Sequence, residues 1–284
     1  MLTSAFGGPE RIDSKDKMVM APPACDPRWY VSLGGSVDFP FGDFSDGVNA
    51  DINGEATLDV LPRDWNDAYS DFWNIKGEVG YVLTGHIELF GTFQYTHGES
   101  KVVTGSSLDF GGPTLFFESQ YGDYNSYGGE LGLRYFFTDK ESRIRPYVSV
   151  AGGATFVNSI GLHADAPGLA LERPGDTTVY DGAFYDDSVV GTVTALLGVE
   201  FQVIPCKFSV GIDAGIHWQS QLEGDDSAFD TFANNIATSA AATSALSGKT
   251  SSGFQSDLTA ALSKINDSGE HFSVPVTVYA KFRF

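Results

Sequence analysis

The sequence predicts an all-β fold: an eight-stranded antiparallel up-and-down transmembrane β-barrel with long extracellular loops, the last loop partly helical. Three observations predict it. Segments of the 284 residues alternate strictly between an apolar and a polar parity, the period of a strand with one oily and one wet face. The connections between these segments alternate between short and long, the asymmetry of outer-membrane barrels. Glycine and aromatics are plentiful, with 33 Gly, 22 Phe and 12 Tyr, as in closed barrels with aromatic girdles. No run is long and apolar enough for a membrane helix, so a crossing must be made by a closed barrel.

Taken in order, residues 1–27 read as a polar periplasmic tail containing the Pro-rich piece Ala21-Pro22-Pro23-Ala24, and residues 28–284 as the barrel domain. Met1 to Gly8 lacks the apolar core of a secretory signal, which suggests a mature form or a trimmed leader. The first strand is Arg28–Phe39, with Trp29, Val31, Leu33, Val37 and Phe39 on one face. A polar segment, Pro40 to Ser70, follows; connections of this length are uncommon inside soluble domains. Phe72–Leu83 and His86–Thr96 form a hairpin around Thr84-Gly85. A second long loop, His97 to Asp123, leads to Tyr124–Phe137, the turn Thr138–Ser142 and the fifth strand, Arg145–Val157. The third loop, Asn158 to Asp187, precedes Ser188–Val203, the tight turn Ile204-Pro205-Cys206 and Lys207–Gln219. The fourth loop, Ser220 to Gly269, differs in kind. It is Ala- and Ser-rich, and Phe254, Leu258, Ala261, Leu262 and Ile265 recur at helical spacing, which predicts two short helices at the outer mouth.

The last strand, Glu270–Phe284, splits completely. Phe272, Val274, Val276, Val278, Ala280, Phe282 and Phe284 share one parity; His271, Ser273, Pro275, Thr277, Tyr279, Lys281 and Arg283 share the other. Its ending resembles the C-terminal insertion signal of outer-membrane barrels, with Thr277 as the polar residue and Phe282 and Phe284 as alternate aromatics; Tyr279 stands where that pattern usually has glycine. An even strand count leaves both ends on the short-turn side.

Alternation, loop asymmetry and the Phe282-Arg283-Phe284 ending together resemble the OmpA/OmpX-like family of small outer-membrane barrels, from Arg28 to Phe284. The resemblance implies an outer-membrane location in a diderm bacterium and a monomeric barrel with a structural, adhesive or weakly pore-forming role. It implies as partners outer-membrane lipid and lipopolysaccharide, the barrel assembly machinery, and a surface partner met through the loops. A formal charge of -20 repels polyanions and excludes nucleic-acid binding.

The inward parity collects Lys76, Glu78, Glu88, Glu130, Arg134, Glu200, Lys207, Asp213, Lys281 and Arg283. Buried charges must pair, and the interior of an eight-stranded barrel is just wide enough for side chains to fill. A salt-bridged, largely plugged lumen is therefore favoured over a charge-lined ion path. The two cysteines, Cys25 and Cys206, fit no zinc or redox spacing. Both fall at the periplasmic end, where either a disulfide or two unpaired thiols is allowed.

No cofactor or metal motif emerges. Asn49 to Gly54 resembles the start of a calcium loop, but the position of its bidentate acid is Val60, which cannot ligate, so it reads as a polar turn. His217 and Ser220 loosely resemble the pair of outer-membrane lipid A deacylases. They are three apart, hence on opposite faces, and a nucleophile must reach its base, so no enzyme is predicted. A porin-like channel for small solutes and a soluble ligand-binding barrel, in which the apolar parity would be the core, are the alternatives.

Overall fold

Alternation builds the wall of the molecule. The computed structural model describes residues 27–112, 114–167, 178–225, 227, 229–242, 252–266 and 270–284. In chain order the strands are β1 (Trp29–Phe41), β2 (Asp43–Ser45), β3 (Val48–Ile52), β4 (Ala56–Val60) and β5 (Arg63–Asp64), followed by the short helix α1 (Trp65–Ala68). Next come β6 (Phe72–Val82), β7 (Ile87–Gly98), β8 (Val102–Asp109), β9 (Thr114–Tyr121), β10 (Tyr124–Phe136), β11 (Ile144–Val157), β12 (Ile160–Asp165) and β13 (Thr178–Tyr185). The chain closes with β14 (Ser188–Ile204), β15 (Phe208–Gln219), helices α2 (Phe229–Ala242) and α3 (Ser252–Leu262), and β16 (His271–Arg283).

Eight of these strands form a closed barrel, β1-β6-β7-β10-β11-β14-β15-β16 and back to β1. All eight pairings are antiparallel, so this is the up-and-down meander the sequence predicts. The ring shuts where β16 lies against β1, with Ser36 opposite Thr277 and Tyr30 opposite Arg283; Trp29 and Phe284 exchange backbone bonds of 3.2 and 2.9 Å.

The apolar parity faces outward. Leu131 and Val189 are each 74 % exposed, and Leu33, Ile75, Phe93, Leu197 and Val278 are exposed with them, while the opposite parity is buried. In a soluble ligand-binding barrel these side chains would be the core; here they are the outer wall. Aromatic pairs mark its two rims: Trp29–Tyr81 and Phe282–Phe284 at the short-turn end, Trp73–Tyr95 and Tyr127–Phe156 at the loop end. An apolar band between aromatic girdles is the signature of a wall that meets hydrocarbon.

Inward aromatics lie over glycines of the neighbouring strand. Tyr30 pairs with Gly80, where an added Cβ would collide with the ring, and Tyr279 covers Gly211 in the same way. This close approach explains part of the glycine richness.

The four long loops are not irregular. The first three each contribute a hairpin, β3–β4, β8–β9 and β12–β13, and these join in a six-stranded sheet of order β13-β12-β9-β8-β4-β3. The fourth supplies α2 and α3, which pack on each other, α2 also on the edge strand β13 and α3 on the edge strand β3. The two helices thus bridge the margins of the sheet. The predicted polar turn at Asn53-Gly54 is the β3–β4 hairpin turn: both residues have positive φ, 55° and 68°, as a tight two-residue turn requires, and Asp51 accepts the Gly54 N–H at 2.6 Å. This cap has its own apolar core, built on Phe44, Trp65, Tyr69, Tyr121, Phe184 and Tyr185. The long loops therefore carry ordered secondary structure of their own. Their short strands alternate just enough to bury one face, as in β9, where Leu115 and Phe117 are buried and Phe116 and Glu118 exposed.

Candidate functional site

The lumen holds the charged residues. At the short-turn half, Glu88 on β7 and Glu200 on β14 stand among four cations. The Lys281 ammonium lies 3.0 Å from each carboxylate, Arg283 2.6 Å from Glu200 and 3.2 Å from Glu88, and Arg145 within 3.7 Å of both. Arg134 forks onto Glu78 with bonds of 2.8 and 2.9 Å and reaches Glu88 at 3.5 Å. Bidentate geometry of this kind makes the strongest ion pairs. Aromatic faces complete the shell: Arg145 lies 3.6 Å over Phe136, Lys281 4.2 Å over Tyr30, and Arg134 4.8 Å from both Phe90 and Tyr147. Every charged member is almost wholly buried. The cluster ties β6, β7, β10, β11, β14 and β16 together across the bore, so one charge in it cannot move without stranding another.

Nearer the loops the lumen is held by hydrogen bonds. Glu130 accepts from Thr194 at 2.8 Å, and His217 Nδ1 lies 2.8 Å from the same hydroxyl and 3.8 Å from Glu130. Asp38 accepts from Ser36 and Asn74 at 2.5 and 3.0 Å, and Asp213 takes the Tyr147 hydroxyl at 2.6 Å. Lys76 faces two lumen cavities, and among the described residues it has no carboxylate within ion-pair distance. Each of those cavities has a volume of about 10 Å³, about the least that holds one water.

The loop end of the lumen is roofed by aromatics. Phe72 stacks on Tyr124 with centroids 4.9 Å apart, Trp65 lies 4.6 Å from His271, and Tyr69 packs on both Trp65 and Phe72. Two bonds pin this roof to the barrel: Trp65 Nε1–H donates to the Glu270 carbonyl at 3.2 Å, and the Tyr124 hydroxyl to Gln219 at 2.9 Å.

Nine of the ten predicted inward charges, Lys76, Glu78, Glu88, Glu130, Arg134, Glu200, Asp213, Lys281 and Arg283, do face the lumen; Lys207 does not. It lies exposed in the β14–β15 turn. The register slips between Gln202 and Ile204, and Cys206 adopts φ 62°, so the parity of β15 cannot be carried back across the turn. Arg145 is the ion-pair member missing from the sequence-based set. Its signal was available: it is two residues before Tyr147 on the buried parity of β11. The lumen aromatics Tyr30, Tyr147 and Tyr279 also follow from parity once cations are known to need their faces. Thr277 is buried in the lumen, and Phe282 and Phe284 are exposed on the outer wall. Cys206 is disulfide-bonded; Cys25 lies outside the described residues, as does the tail up to residue 26. His217 Nδ1 hydrogen-bonds with Thr194 in the lumen, whereas the Ser220 hydroxyl accepts the Gly191 N–H at 3.0 Å. Among the described residues no group of acidic, His or Cys side chains has the geometry to hold a metal ion.

A closed eight-stranded meander, apolar outside and charged inside, with short turns at one end and long loops at the other, is a transmembrane barrel of the outer-membrane type. This is the architecture of the OmpA/OmpX-like small barrels that the sequence resembles. Among solved structures the chain is similar to Neisserial surface protein A, with 13% identity, a TM-score of 0.36 and coverage of 90% of this chain and 97% of that one. It is similar also to Ail, the attachment invasion locus protein of Yersinia pestis, with 12% identity, a TM-score of 0.38 and coverage of 91% and 99%. A third is the N-terminal β-barrel domain of Pseudomonas aeruginosa OprF, with 12% identity, a TM-score of 0.32 and coverage of 91% and 100%. No family model matches the chain, and no curated protein matches it. Strand order and polarity define the fold independently of these likenesses.

Proposed function

We propose that this chain is an integral protein of a diderm outer membrane with a structural and surface-interaction role, a closed lumen and no catalytic activity of its own. The observation that carries the reading is the Glu88–Glu200–Lys281–Arg283–Arg145 cluster, whose buried ion pairs cross the bore. An open pore needs a continuous wet path; the paired side chains across the bore and the aromatic roof at its loop end support a closed one. The separation of His217 from Ser220 supports the absence of a hydrolase. The outer wall meets lipid and, in the outer leaflet, lipopolysaccharide; insertion falls to the barrel assembly machinery, with Thr277, Phe282 and Phe284 as the signal it reads; the acidic cap meets a surface partner.

Planar-bilayer recording of the folded protein tests this reading against a porin-like channel. The closed-lumen reading expects no steady conductance, and a large, long-lived open current would replace it with the channel. Heat-modifiable gel migration after detergent extraction checks that the barrel is folded in the same sample.

A further inference from the structure

The cap contains a cavity that the barrel does not need. It lies between the six-stranded sheet and the two helices, with a volume of about 60 Å³. Leu58, Val103 and Phe117 form one wall, Phe232 and Leu262 the other. Protein interiors leave few voids larger than a water, and an unfilled apolar void forfeits the contacts its lining would otherwise make. This one reaches the surface beside Leu61, which is 39 % exposed, and half-buried Arg63.

Arg63 is the one charged residue among the described residues that line the cavity. It donates to the Thr104 carbonyl, which engages only part of a fork with five N–H donors. Among the described residues it has no ion pair, in a chain that carries 37 acidic residues and a formal charge of -20. A guanidinium without a carboxylate, set at the mouth of an apolar cavity, complements an anion attached to a hydrocarbon. The size restricts the hydrocarbon. The cavity is smaller than the roughly 150 Å³ that holds a benzene ring, so it takes the leading carbons of a slim unbranched chain rather than a ring system.

We propose that the cap binds a single-chain carboxylate, a free fatty acid of short to medium length, with the terminal carbons of its chain in the cavity between the sheet and α2–α3 and the carboxylate on Arg63. Octanoate labelled with ¹³C at its carboxyl is the probe, titrated by NMR into the full chain folded in amphipol, with empty amphipol as the blank. The expected result is a saturable bound carboxylate signal. Arg63→Gln weakens octanoate at least tenfold while octanol, measured by calorimetry, changes less than twofold. Ser119→Phe, which fills the cavity from the sheet, weakens both at least tenfold, and Leu262→Trp does the same from the helix side. Near-UV circular dichroism of each variant confirms a folded cap. Three results would overturn the proposal: no saturable signal in the native chain, octanoate binding unchanged in both cavity-filling variants with intact caps, or equal loss of octanol and octanoate in Arg63→Gln.

Discussion

The barrel and its cap are built from one chain by opposite rules. In the barrel the apolar side chains face out and the charges lie in the middle; in the cap the aromatics lie in the middle and the charges face out. Phe117 and Val278 illustrate this: Phe117 on a cap strand is 5 % exposed, whereas Val278 on a barrel strand is 60 % exposed, against hydrocarbon. The alternation is identical. What differs is the solvent, and the solvent decides which parity becomes the interior.

The comparison breaks most readily at the charge cluster. Glu88→Gln removes the acid shared by Lys281, Arg283, Arg134 and Arg145 and leaves buried cations short of a partner. We expect a loss of about 3–5 kcal/mol, read as a lower urea midpoint for barrel unfolding in detergent. A loss near zero would mean that water enters the bore freely. Matched substitutions sharpen the contrast next. Val278→Arg on the lipid face should cost about 2–4 kcal/mol in refolding into bilayers, whereas Phe116→Arg on the cap should stay within about 0.5 kcal/mol. Equal effects would show that the two surfaces meet the same medium.

The smallest expected effect is alkaline. Burial holds the Tyr69 and Tyr121 phenols in the cap core above their ordinary value, and in the unfolded chain a phenol ionises at about pH 10. Above that pH the unfolded cap releases protons that the folded cap retains, so cap stability is complete below about pH 10 and falls as the pH rises. Near-UV circular dichroism should report this loss while heat-modifiable migration of the barrel persists; simultaneous loss of both signals would merge the two regions into one cooperative unit.

The barrel was legible because a wall between lipid and lumen punishes any break in parity. The predicted strands therefore lie within a few residues of the observed ones, and the inward charges followed from them. Legibility failed where that constraint lapses. Lys207 sits past a register slip, so extrapolated parity pointed it the wrong way. The hairpins of the cap are short, and strands such as Val48–Ile52 and Ala56–Val60 are set among Asp and Gly, so their alternation never extends far enough to rise above a polar background. Arg145 was missed for a different reason. It is the first residue of the predicted strand, immediately before Pro146, where no earlier position in the strand fixes which face the charge takes.

The bonds between Trp29 and Phe284 have a kinetic consequence. The opening strand of the ring has no permanent neighbour on one flank until the eighth has been made, some 240 residues later. Assembly must therefore shelter that waiting edge throughout, and a chain that stalls early would leave it as a sticky template for other molecules.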